Sequence, residues 1–105
     1  MTTTAERLIG IHEQIEAVEA TVLADGGTSP VLAAVVQELT RKSAKARAGL
    51  PGADQGSLRL SIVEVEQAAD SAKVAVEADS GASDATRRAV LDAHLAICTL
   101  KAKTP

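Results

Sequence analysis

No aromatic side chain occurs anywhere in this chain of 105 residues: Phe, Tyr and Trp are all absent. A thick core needs large flat side chains to fill it, so folds built on one are disfavoured at once. The apolar volume comes instead from 21 Ala, 10 Val, 10 Leu and 5 Ile. Ala is the strongest helix former, and an Ala-rich helix lets a neighbour approach closely. The composition points to a thin, all-α packing. The length allows one domain, taken as residues 1–105.

Three loop signals divide the chain into four segments. The first is Asp25-Gly26-Gly27-Thr28-Ser29-Pro30. There a left-handed glycine would end one helix, Ser29 would cap the next, and Pro30 suits its first turn. Gly49-Leu50-Pro51-Gly52-Ala53-Asp54 repeats this stop-and-restart chemistry, and Asp79-Ser80-Gly81-Ala82-Ser83-Asp84 is the third signal. At the N-terminus, Thr3 and Glu6 have the spacing of a capping box.

Between these signals the aliphatic residues recur at helical spacing. Leu8, Ile11, Ile15, Val18 and Val22 form one seam. Val31, Leu32, Val35, Val36 and Leu39 form the second, continuing through Ser43 and Ala46. Leu58, Ile62, Val65, Ala69, Ala72 and Val76 form the third, and Val90, Leu91, Leu95, Ile97, Cys98 and Leu100 the fourth. The spacing predicts helices near 4–24, 30–48, 55–79 and 84–103. Short connections make successive helices antiparallel, which predicts an up-down-up-down four-helix bundle. The alternative is two helical hairpins that complete a bundle across a dimer. No pattern of residue identities recurs with a period of 20–50 residues.

Charge and motif content narrow the function classes. The net charge is −3, and no basic face with interleaved aromatics suggests nucleic-acid binding. The longest apolar run is Val31–Val36, far short of the ~20 residues of a membrane span. The N-terminal segment lacks the pattern of a secretory signal, and the single Cys98 excludes an intrachain disulfide. A cytoplasmic location is expected. No phosphate-binding glycine loop is present and no cofactor is expected.

Two groups of residues stand apart from the seams. Leu60, Val63 and Val74 lie opposite the main stripe of the third segment, and Leu95 and Leu100 mark the margins of a broad apolar arc in the fourth. A helix apolar over more than half its circumference needs partners on several sides. These residues are interface candidates for a homodimer or for another protein partner. His12 with Glu16, and His94 with Cys98, are four residues apart on their helices, a spacing at which two side chains share one ligand. In a bundle the first and last helices are neighbours, so His12, Glu16, His94 and Cys98 form a candidate metal set.

Bland readings compete with each. Cys98 serves as a small hydrophobe, His94 as a boundary histidine with one hydrogen bond, and His12 as a solvent-facing or interface residue. Arg41, Lys42, Lys45 and Arg47 suit the carbonyl end of their helix, with Arg41 expected near Glu64 or Glu66. The acidic residues of segments one and three are expected on solvated faces. A Cys98 nucleophile is disfavoured because the thiol sits late in its helix, where the dipole opposes a thiolate. The expected function is a non-enzymatic interaction or regulatory module. The alternative is a metal- or small-ligand-binding bundle using histidine and cysteine on helices one and four.

Overall fold

Four helices form where the periodicity places them: α1 (Thr4–Ala24), α2 (Pro30–Ala48), α3 (Gln55–Ala78) and α4 (Asp84–Lys103). The structure is a computed structural model that describes residues 2–105, with Met1 outside the described residues. Every helix begins on a side-chain oxygen that takes up one of the orphan N–H groups of the first turn. Thr3 accepts the Glu6 N–H at 3.1 Å while the Glu6 carboxylate accepts the Thr3 N–H at 3.4 Å, which completes the capping box. Ser29 accepts from Leu32 at 3.3 Å, Asp54 from Ser57 at 2.7 Å and Ser83 from Thr86 at 3.2 Å.

The helix ends differ from the expected left-handed glycines. α1 and α3 stop on Asp25 and Asp79, both in extended backbone with ψ of 101° and 96°. Asp79 therefore lies just outside α3. Among the described residues only Gly52, with φ 77°, occupies the left-handed region. The connection from α2 to α3 is the one that uses this freedom.

The helices pack in a ring, α1 on α2, α2 on α3, α3 on α4 and α4 back on α1. The bundle measures 41 × 20 × 20 Å, about the length of a 24-residue helix with its loops. Cross-helix pairs fall in number on one helix as they rise on the next. Asp70 meets His94, Glu66 meets Lys101 and Arg59 meets the Thr104 carbonyl. Among the described residues no helix is long and apolar enough to cross a membrane.

The core shows a relationship that the search for shorter periods passes over. The buried positions of α1 are Leu8, Ile11, Ile15, Val18 and Val22, with His12. Displaced by 54 positions they become Ile62, Val65, Ala69, Ala72 and Val76, the buried positions of α3. The same displacement carries Leu32, Val36, Leu39, Ser43 and Ala46 of α2 onto Thr86, Val90, Ala93, Ile97 and Leu100 of α4. The two hairpins are therefore equivalent in register although their side chains differ in size. Where α1 has Ile15 and Val18, α3 has Ala69 and Ala72; where α2 has Ser43 and Ala46, α4 has Ile97 and Leu100. Large positions in one hairpin correspond to small ones in the other, so the core is filled by aliphatics and alanines of unequal size without aromatics.

The end of the bundle that holds the α1–α2 and α3–α4 loops is closed by a reciprocal clasp. The Asp79 carboxylate accepts the Gly81 N–H of its own loop at 3.1 Å and the Ser29 N–H of the other loop at 2.8 Å. Asp25 accepts the Gly27 N–H at 3.0 Å, the Ser83 N–H at 3.0 Å and the Thr86 hydroxyl at 2.6 Å. Each carboxylate thus neutralises the positive N-terminal end of a helix in the opposite hairpin. Gly27 and Gly81 are required by the close approach of the two loops. A Cβ at Gly27 would lie 2.2 Å from the Gly81 carbonyl oxygen, and one at Gly81 would lie 2.0 Å from that of Gly27. The Arg87 guanidinium donates to the Val76 carbonyl at 3.2 Å and to the Asp79 carbonyl, tying off the end of α3.

Candidate functional site

Two features of the surface carry chemistry beyond folding, a polar cluster on the α3–α4 seam and an apolar groove between α2 and α3. The cluster is built by helical spacing on both sides. His94 and Cys98 are one turn apart on α4, and their Nε2 and Sγ atoms are 3.6 Å apart. Across the seam Asp70 accepts from His94 Nε2 at 2.7 Å. Donor atoms of Asp70, His94 and Cys98 all lie within 4.8 Å of one another. One turn earlier on α3, Glu66 accepts from Lys101 at 2.8 Å and borders the thiol.

Burial pushes the Cys98 thiol up, and the Glu66 and Asp70 carboxylates add to the effect by disfavouring a second negative charge. A free thiol so held is a poor nucleophile at neutral pH.

The sequence places His12 and Glu16 with this pair, and the structure separates them. His12 is 5% exposed and faces α2, where its Nδ1 meets the Ser43 hydroxyl at 2.6 Å. The Ser43 hydroxyl donates to the Thr40 carbonyl at 3.0 Å, so it accepts from the His12 N–H. Glu16 lies 3.6 Å from the other ring nitrogen on an exposed flank. His94 faces α3. Helix rotation decides this split, because α1 turns His12 to one neighbour and α4 turns His94 away from α1. The solvent-facing reading of His12 is likewise replaced by a buried, hydrogen-bonded ring.

Asp70, expected on a solvated face with Glu66 and Asp79, is exposed as expected but also bonds His94, while Glu66 and Asp79 are largely covered. The signal was present as Glu66 and Asp70 four apart on one helix and His94 and Cys98 four apart on another. Joining the pairs required the α3–α4 register. The basic run of α2 also finds partners other than those expected. Lys42 and Lys45 lie 3.9 and 3.7 Å from Glu64, whereas Arg41 turns outward and pairs with Glu38 on its own helix at 2.6 Å.

The interface candidates separate by depth. Leu60, Val74 and Leu95 are exposed, at 60%, 66% and 64%. Val63 is half-buried, and Leu100 is a core residue at 3% exposure, so it contributes to no surface. The helix turns Leu100 inward because it continues the Val90, Ala93 and Ile97 stripe. Val74 forms one lip of a groove of about 550 Å³ whose other wall is α2. Val31, 66% exposed, and Val35 line it from α2, and Asp70, Ser71, Ala75 and Ala78 line it with Val74 from α3.

No protein family matches the chain, and no curated protein or solved structure matches it.

Proposed function

We propose that this chain is a non-enzymatic interaction module that self-associates through the α2–α3 groove. The observation that carries the reading is the pair of valines, Val31 and Val74, each two-thirds exposed on either side of an apolar trough. Burying such side chains is favourable by roughly 25 cal/mol per Å² of apolar surface, and contiguous exposed aliphatics mark contact sites. A second copy of the chain meeting this face about a two-fold axis is the simplest occupant. The up-down-up-down order belongs to the same reading and is supported by the descending-against-ascending cross-helix pairs. A cytoplasmic setting, in which the lone Cys98 stays reduced, completes it.

Sedimentation equilibrium over a concentration series tests the reading. A dimer that becomes a monomer in Val74→Glu with unchanged helicity supports it. Val74 suits this test better than Val63, whose half-buried position couples any charge to folding. A wild-type monomer at every concentration, or a dimer indifferent to Val74→Glu, overturns it.

A further inference from the structure

We propose that Asp70, His94 and Cys98 form a three-donor site for a borderline transition-metal dication of the zinc type, placed on the α3–α4 seam. The donor set decides the metal class. Thiolate and imidazole select zinc-like ions, whereas magnesium and calcium take oxygen donors. The geometry is close to what a tetrahedral ion needs. With metal–ligand bonds of about 2.0–2.3 Å, tetrahedral donors stand roughly 3.3–3.6 Å apart. His94 Nε2 and Cys98 Sγ already stand at 3.6 Å. Asp70 Oδ1 and His94 Nε2, at 2.7 Å, need to open by about the difference. The Asp70 side chain is 57% exposed and has the freedom to rotate. The His94 and Cys98 side chains come from one rigid helix, so their half of the site is preorganised.

No fourth donor completes the set among the described residues. Glu66, the nearest further carboxylate on α3, is engaged by Lys101. The site therefore keeps an open coordination position for water or an outside ligand, as three-donor zinc sites do. Coordination replaces the hydrogen bond between His94 and Asp70 with two bonds to the metal. The His94 Nε2 proton moves to Nδ1, which frees the Nε2 lone pair for the metal, and the Cys98 thiol proton goes to solvent, so one proton is released per ion bound.

Cobalt(II) titration of the reduced, full-length protein tests the site. Thiolate–cobalt charge transfer absorbs in the near ultraviolet, where a chain without Trp, Tyr or Phe is transparent. One cobalt per chain, a charge-transfer band that zinc abolishes, loss of the band in Cys98→Ser, and at least about ten-fold weaker binding in both His94→Ala and Asp70→Asn are expected. Asp70→Asn, at an exposed position, keeps the test decisive if His94→Ala disturbs the helix. Absence of the band in the wild type overturns the site. So does a band undiminished in Asp70→Asn, which puts Asp70 outside the coordination sphere, or one ion shared between two chains, which places the donors in an intermolecular site.

Discussion

The Asp79 carboxylate that closes α3 accepts the backbone N–H of Ser29 that opens α2, at 2.8 Å. Fifty positions of chain separate the two residues. The equivalent carboxylate, Asp25, makes the matching bond to Ser83. The two hairpins are thus locked at one end by a pair of charged hydrogen bonds, which bear more energy than neutral ones.

The glycines inside this clasp give a sharp contrast. Gly27→Ala drives a methyl group into the Gly81 backbone and is expected to destabilise by about 1–3 kcal/mol. Gly26→Ala, with open space around the added carbon, is expected to stay within about 0.5 kcal/mol of wild type. Urea unfolding followed by circular dichroism distinguishes them. Equal effects at the two glycines would show that the loops are not in contact.

The clasp makes stability sensitive to acid. The Thr86 hydroxyl and the Ser83 and Gly27 N–H groups hold the Asp25 carboxyl well below its ordinary 3.8. The Ser29 N–H lowers Asp79, and the Ser57 N–H lowers Asp54. Above the ordinary value these groups are charged both folded and unfolded, and their full contribution is present. As the pH falls through that value the unfolded chain takes up protons first, so stability declines until the folded values are passed. Unfolding midpoints are expected to fall steeply below about pH 4. Asp25→Asn should start lower at neutral pH and lose less on acidification.

The buried His12–Ser43 pair is expected to be costly to break. Ser43→Ala leaves a ring N–H without its partner in the core, at about 1–3 kcal/mol. His12→Ala removes the same bond and leaves a cavity. A double-mutant cycle measures the coupling, and strict additivity would show that the bond contributes nothing.

Cys98 should alkylate slowly at neutral pH. Its thiol is pushed up first by burial and then by Glu66 and Asp70. Glu66→Gln removes one of these charges and is expected to raise the iodoacetamide rate and shift its pH dependence downward. A rate equal to that of a free thiol in the wild type would contradict the raised value.

How far the chain could be read depended on whether the signal was local. Thr3 with Glu6, Ser29 before Pro30, and Asp54 and Ser83 at their helix starts were legible because a cap bonds its own first turn. The inward stripes were legible because helical rotation repeats along one element. Val74 stood apart from its seam in this way, whereas the broad arc of the fourth segment counted exposed Leu91 and Leu95 among its seam and made buried Leu100 an interface candidate. The candidate site was half legible. His94 and Cys98 announce a shared face, but their partner is Asp70 and not His12. A glycine of the first loop was read for its backbone freedom, whereas Gly27 and Gly81 are needed because another loop lies against them.

By itself the sequence determined four helices, the side chains that cap their starts and the inward stripes of α1 and α3, because these depend on interactions within about one turn. It also carried the 54-position correspondence between hairpins in the Asp-x-Gly-x-Ser of both loops. Tertiary structure alone decided which pairs meet: Asp25 with Ser83, His12 with Ser43, and Asp70 with His94 and Cys98. Those contacts depend on the rotation and sliding of one helix against another. Rotation and sliding are set by how the buried side chains of all four helices, large as Ile15 and Ile97 and small as Ala69 and Ala46, fill one shared core, a balance of volumes that no single segment contains.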